Sequence, residues 1–399
     1  MKFDKSQEQA IEKAIANKIT AIIGEAGVGK TTIIKELVQR LDNVILCCPT
    51  GKGAARMKQA TGFPASTIHR MLGWNTQGFI RGDFVNEVVI VDECSMVESS
   101  LMYEIIKRKP AKLIMVGDEC QLLPVGAGAP FHDVIKHCPN QVVKLEKSYR
   151  NSEAVFEAGH AVRNRIRPEL MLKTANEMWK VVDISDIYKK KGMNNIANNV
   201  PKYTEEYILD KIKKGMIDFD KDIIAVCRNK ETYCSVESLN QKIVDIVNPR
   251  VANEKWKTGD RIMLLKNNAG LDVYNGDTGK IVDIDIKGNA WIELDSPRIA
   301  EDGLPSTEVV FTKAVLKNCV LAYACTVWKL QGSQYRTVIF VCLNRDLTFM
   351  LTNNLIYTAI TRAKKNCIVA GDNRAFFSGI FKKQNRQTVL DNLLINNEV

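Results

Sequence analysis

The chain has 399 residues, 45% of them hydrophobic and 26% charged, with a formal charge of +10. That length exceeds what one hydrophobic core serves and predicts two or three domains, and the composition excludes a disordered, collagen-like or coiled-coil chain. No apolar run approaches the roughly 18 residues of a membrane span, the start Met1-Lys2-Phe3-Asp4-Lys5 has no apolar leader, and eleven cysteines without a CxxC pair predict reduced thiols in a cytoplasmic protein.

The first 150 residues alternate β-like runs with helical stretches. Ile19–Ile23 is apolar and β-branched and stops at Gly24; a helix is expected from Thr31 to Leu41; Val44–Cys48 stops at Pro49. Val88–Val91 stops at Asp92, and Lys112–Val116 at Gly117. This rhythm predicts parallel βαβ units in an α/β fold. The polar stretch from Lys189 to Asn195 reads as a surface loop. A second α/β pattern begins with Asp222–Cys227 and a helix through Ser238–Ile243, and resumes with Val338–Val341 and Cys367–Ala370. Between them, residues 256–315 are glycine-punctuated, with alternating runs such as Lys280–Ile286, the pattern of a small antiparallel insert. Residues 301–399 carry 12 basic and 7 acidic side chains, a local excess that permits nucleic-acid binding without establishing it.

Gly24-Glu25-Ala26-Gly27-Val28-Gly29-Lys30-Thr31 matches GxxxxGK[ST] between a strand and a helix, the context of a P-loop. Its backbone N–H groups and the helix N-terminus, with Thr32 following, would cradle the phosphates of ATP. Lys30 would reach the β- and γ-phosphates and the Thr31 hydroxyl would ligate Mg²⁺. Val88–Val91 delivers Asp92 and Glu93 to the carboxyl edge of the sheet, where open α/β sheets bind ligands. Asp92 is expected to hold Mg²⁺ and Glu93 to act as general base toward water. Gln121, in Gly117-Asp-Glu-Cys-Gln-Leu-Leu-Pro124, could contact the γ-phosphate or the attacking water, or belong to a plain loop stopped by proline.

The order of these and further motifs resembles superfamily 1B DNA helicases, the RecD/Dda-like branch, from Phe3 to about Asp372. Ser6-Gln7-Glu-Gln-Ala-Ile11 looks like the adenine-reading Q motif. Pro49-Thr50-Gly-Lys52-Gly-Ala-Ala55 and Ser66-Thr67-Ile-His69-Arg70 are similar to DNA-contacting motifs. Lys147-Ser-Tyr-Arg150 and Tyr357-Thr-Ala-Ile-Thr-Arg362-Ala363 look like the motifs that supply two phosphate-sensing arginines. Ala322 to Ser333, with Thr326, Trp328, Lys329, Gln331 and Gly332, looks like motif V. The resemblance implies two RecA-like domains, 1–150 and 151–255 plus 316–399, with ATP in the cleft between them and 5′→3′ movement on single-stranded DNA. It also implies a β-hairpin in the first domain (73–83) and an SH3-like β-barrel insert in the second (256–315).

DNA is expected to run over Thr50, Lys52, Thr67, His69, Thr326 and Gln331, each of which could equally cap a helix or face solvent. The 73–83 hairpin would split the duplex at single-strand/double-strand junctions, with Trp74 and Phe79 offering an apolar tip against the last base pair, or be a plain surface hairpin. The insert could guide DNA or bind replication or recombination proteins. Two departures from the family stand out. Trp328 replaces a histidine, and could stack on a base or pack in the core. Cys94 stands where a small residue is usual and is expected to behave as one. The compact chain suggests a phage or small bacterial helicase. A protein-stripping translocase without processive unwinding and a non-motor P-loop switch are the alternatives.

Overall fold

The structure, a computed structural model, describes residues 3–25, 27–147, 153–193, 195–251, 254–299, 305–384, 386 and 388. The chain divides into two compact units, Met1–Asn151 with Gln384–Val399, and Ser152–Lys383.

The first unit holds β1 (Ile19–Ile23), β2 (Val44–Cys48), β3 (Ala65–Thr67), β4 (Trp74–Asn75), β5 (Gly78–Phe79), β6 (Val88–Val91), β7 (Lys112–Gly117) and β8 (Val142–Lys144). Six of them form a parallel sheet in the order β3-β2-β6-β7-β1-β8, and β4 and β5 pair as a separate hairpin. Alternate side chains feed two cores. Ile22, Leu46, Ile90 and Ile114 pack on one face with Ile33, Ile34 and Leu37 of the helix Lys30–Arg40. Ala21, Ile23, Cys47, Val89 and Val91 pack on the other. A sheet covered on both faces has near-continuous apolar strands, which is why they were legible as such.

The second unit holds β9 (Met171–Lys173), β10 (Met178–Asp183), β11 (Asp222–Val226), β12 (Arg261–Leu264), β13 (Thr278–Ile284), β14 (Ala290–Ile299), β15 (Pro305–Phe311), β16 (Cys319–Leu321), β17 (Ala324–Thr326), β18 (Tyr335–Cys342) and β19 (Ala363–Gly371). Its main sheet runs β17-β11-β18-β19-β10-β9 and is parallel except for the edge pair β9–β10. The expected insert is a five-stranded sheet, β15-β14-β13-β12-β16, antiparallel throughout. Asn240 locks the exit from the insert into β17. Its Oδ1 accepts from the Tyr323 and Ala324 N–H groups at 2.9 and 3.0 Å, and its Nδ2 donates to the Ala324 carbonyl at 2.8 Å.

Away from the candidate site, the structure differs from the sequence reading in two places. Lys189 and Lys190 close a helix, Ile184–Lys190, rather than opening a loop; Asp183 caps it through the Asp186 N–H. The tail beyond residue 383, expected with the second motor domain, groups with the first unit. Arg386 donates to the carbonyls of Gly126 and Gly128 at 2.6 and 2.8 Å, and the Thr388 hydroxyl to buried Asp133 at 2.9 Å. A guanidinium gains more from two convergent carbonyls than from solvent, and this fastens the strap.

Candidate active site

The strand order of the first unit brings three separated motifs to one edge. β1 lies beside β7, with Ile23 opposite Gly117, and β7 lies beside β6. The P-loop follows β1, Asp92 follows β6 and Gln121 follows β7, so all three leave neighbouring carboxyl ends. The Gly24 N–H donates to the Gly117 carbonyl at 3.2 Å and ties the first and third of them together.

The loop is preshaped. Gly29 has a φ of 88° and opens the helix Lys30–Arg40. A Cβ there would lie 2.6 Å from Gln7 Nε2, so left-handed backbone and close approach both demand glycine. The Lys30 ammonium donates to the Gly24 and Glu25 carbonyls at 2.6 and 2.8 Å, held over the loop that it would serve. Val28 and Gly24 are buried; Thr31 and Thr32 stand in the first turn of the helix; Ala26 lies outside the described residues. Gln7 is buried and spans two jobs: Oε1 accepts from the Asp4 N–H in a capping box, and Nε2 donates to the Val28 carbonyl at 3.1 Å. The glutamine expected to read adenine therefore braces the P-loop as well.

Glu93 sits at φ 52°, ψ 38°, a left-handed conformation that costs a side-chain-bearing residue about 1–2 kcal/mol. Its N–H donates to Asp92 Oδ1 at 2.8 Å. Burial pushes the Asp92 carboxyl up to about 6, the neighbouring Glu93 carboxylate adds to the rise, and Lys30 and Arg56 oppose it. Arg56, on the helix Gly51–Thr61, was not singled out in the sequence because only this electrostatic reach to Asp92 marks it. Cys94 is fully buried among Cys47, Val91 and Phe131, the small apolar residue expected. Gln121 is buried beside Asp118, whose carbonyl accepts its N–H at 3.2 Å.

Other candidates on the first unit stand at adjoining strand ends. Thr50 caps Gly51–Thr61 through the Gly53 N–H, and Thr67 caps Ile68–Met71 through the Arg70 N–H. Each hydroxyl acts as an acceptor in doing so, which leaves its own proton able to donate elsewhere. Lys52 is buried in the first turn of its helix. His69 joins an aromatic group, 6.1 Å from Trp74 and 5.7 Å from Phe79. On the second unit Thr326 and Gln331 are buried, and the Gln331 Nε2 has no hydrogen-bond partner among the described residues. Trp328 is half-buried in the turn Val327–Leu330. Gly332 is left-handed at φ 74°. Arg362 is buried and donates to the carbonyls of Thr358 (3.1 Å) and Ser333 (3.4 Å) and to the Thr361 hydroxyl (3.1 Å). Arg150 lies outside the described residues.

Two family models match the chain: an AAA domain over 2–181 and a UvrD-like helicase C-terminal domain over 321–370. The chain is 28% identical over 96% of its length to the ATP-dependent RecD2 DNA helicase of Deinococcus radiodurans, and spans 52% of that protein. It is 26% identical, again over 96%, to the RecBCD enzyme subunit RecD of Mycolicibacterium smegmatis, of which it spans 74%. The chain is similar to the RecD-like superfamily 1 helicases. Its fold is also that of Pif1 helicases. The Bacteroides Pif1 bound to ADP-AlF3 and single-stranded DNA matches over 100% of this chain and 97% of that one, with a TM-score of 0.56 at 18% identity. The Candida albicans Pif1 matches over all of both chains, with a TM-score of 0.58 at 15% identity.

In this RecD-like chain the hairpin departs from expectation. Its tip is the polar turn Asn75–Gly78, with the Gln77 N–H donating to Asn75 Oδ1 at 2.8 Å. Phe79 lies opposite Trp74, ring centroids 4.5 Å apart, and packs down onto the core that holds Ile68 and Met71. Trp74 is 57% exposed and Ile80 62%. The apolar surface is therefore the hairpin's flank, not its tip. Arg108, buried and distant in sequence, fastens the hairpin by donating to the Phe79 carbonyl at 3.1 Å and the Arg81 carbonyl at 2.7 Å. Nothing local to Arg108 announces this. No helix among the described residues is long and apolar enough to cross a membrane.

The Asp92 carboxyl gives a pH prediction. Its folded value, about 6, lies above the ordinary 3.8. The folded state therefore holds the proton more tightly, and this group's contribution to stability falls as pH rises from about 4 through about 6. Asp92→Asn keeps the bond to the Glu93 N–H and removes the charge. It should stabilise the nucleotide-free protein at pH 8 by on the order of 3 kcal/mol, read as a raised Tm, and have no effect below about pH 4. Thermal melts across pH check this; an equal shift at both ends would refute a buried charge at Asp92.

Proposed function

We propose that this chain is an ATP-dependent DNA helicase that moves 5′→3′ on single-stranded DNA and unwinds the duplex ahead of it. The observation that carries the reading is the arrival of Lys30, Asp92 and Glu93 at one sheet edge whose neighbouring strand ends present the capped helix starts at Thr50 and Thr67. One edge can then hold a triphosphate and follow a phosphate backbone.

ATP would be taken with Mg²⁺. Thr31 and Asp92 fit as its protein ligands: both are hard oxygen donors, and the buried, raised carboxyl gains from a cation beside it. The ion would supply charge neutralisation at the β- and γ-phosphates. Lys30 would exchange its two loop carbonyls for phosphate oxygens. Glu93 would accept the proton of the attacking water, and Gln121 would orient that water. Arg150 and Arg362 are assigned as phosphate-sensing arginines, and Gln7 and Gly332 as nucleotide contacts. Thr50, Lys52, Thr67, His69, Thr326, Trp328 and Gln331 are assigned to the DNA track, and Trp74 and Phe79 to the wedge. In domain terms, 1–150 and 151–255 with 316–383 are the two motor domains, and 256–315 is an SH3-like insert.

The test is one assay set on the purified chain. Hydrolysis should rise steeply with oligo(dT), and a 5′-tailed duplex should be unwound in preference to a 3′-tailed one. Hydrolysis indifferent to DNA would leave a P-loop switch, and unwinding from the 3′ tail alone would reverse the polarity. DNA-stimulated hydrolysis with no unwinding of either substrate would select the translocase.

A further inference from the structure

The five-stranded sheet of the second unit buries one face and leaves the other exposed along β14 and β15, while toward β12 that other face is covered, with Arg261, Met263 and Thr278 buried. Along β14, Ala290, Ile292 and Leu294 are buried while Trp291 and Glu293 are exposed; along β15, Val309 and Phe311 are buried while Glu308 and Val310 are exposed. Register sorts the outward side chains into rows. Trp291 stands opposite Val310, and Glu293 stands opposite Glu308. Trp291 is 42% exposed and Val310 40%, and Val282, beside the bulge of β13, is 47% exposed.

Folding explains neither row. Like charges directly opposite on neighbouring strands repel. The cation opposite Glu293, Lys280, is drawn away to Asp220 at 2.9 Å, and Arg261, next in the same row, is paired with Asp295. No ion pair to Glu293 or Glu308 is found among the described residues. A half-exposed indole beside an aliphatic row is likewise apolar surface without a partner. Together they form an apolar strip, headed by Trp291 and bordered by carboxylates, on the outer face of the sheet. Such a strip repels a phosphate backbone and complements cationic side chains with apolar stems, through charge and through cation–π contact with the indole.

We propose that this outer face is a docking surface for a basic polypeptide segment of a partner protein. Its lysines or arginines would meet the Glu293–Glu308 row, and its apolar stems would lie over Trp291 and Val310. The proposal stands apart from the motor reading, since none of these residues belongs to the nucleotide site or the DNA track.

Binding of two fluorescent 12-residue peptides to the full chain tests it. One alternates Lys or Arg with Leu or Phe; the other carries Glu in place of every basic residue. The basic peptide should bind, about tenfold more weakly at 300 mM than at 50 mM salt. Affinity should fall at least about fivefold in Trp291→Ala and in Glu293→Gln/Glu308→Gln, with DNA-stimulated hydrolysis unchanged. Glu308→Lys should raise the Tm by removing the repulsion while weakening the peptide. Equal binding of the two peptides, or undiminished binding in the double Gln variant, would overturn the proposal. So would a loss of oligo(dT) affinity in Trp291→Ala, which would make the face a base-stacking platform.

Discussion

Glu93→Gln should bind ATP as the wild type does and hydrolyse it at least about a hundredfold more slowly, with or without DNA. The substitution keeps the length and the amide-compatible shape of the side chain. It also leaves the φ of 52° and the N–H bond to Asp92 untouched, so loss of turnover isolates the carboxylate. Lys30→Ala makes the contrast. It removes the ammonium now held by the Gly24 and Glu25 carbonyls, and should abolish hydrolysis while also weakening nucleotide binding. Fluorescent-nucleotide titration and phosphate release separate the two. Full turnover in either variant would displace the site from this edge. Glu93→Gly offers an internal check: it relieves the left-handed strain and should raise the Tm even as it removes the base.

Trp74→Ala should lower duplex unwinding about tenfold and leave single-strand-stimulated hydrolysis within about twofold. The indole is the most exposed large aromatic of the hairpin and lies on its flank, where it can stack on the last base pair. Phe79→Ala differs in kind. Phe79 lies against the core of the first unit, so its loss should cost about 1–3 kcal/mol of stability as well as unwinding. Arg108→Ala should reproduce the unwinding defect from a distance, because it frees the Phe79 and Arg81 carbonyls that hold the hairpin down. Gel-based unwinding beside coupled ATPase measurements reads all three. A parallel fall of both activities in Trp74→Ala would return the hairpin to ordinary surface.

Much of this was written in short-range pattern. Buried parallel strands are apolar along their whole length, so β1, β2, β6 and β7 declared themselves, and their stops at Gly24, Pro49, Asp92 and Gly117 marked the edge where the chemistry sits. What stayed hidden depends on contacts between residues far apart. Gln7 to Val28, Asn240 to Ala324 and Arg108 to Phe79 join positions 21, 84 and 29 apart. The hairpin was misread for a related reason: an apolar residue just after Gly78 suggests a tip, but the turn at Thr76–Gln77 pairs Phe79 with Trp74 and turns it inward.

The strap formed by Arg386 and Thr388 makes the first unit discontinuous in sequence. The P-loop and the acidic strand end lie within the first 93 residues, yet the unit that contains them receives Arg386 and Thr388 only after the whole second unit has been made. The packing of the first unit is thus completed by residues on the far side of the second. Without them the Gly126 and Gly128 carbonyls lose the Arg386 guanidinium, and Asp133 loses the Thr388 hydroxyl.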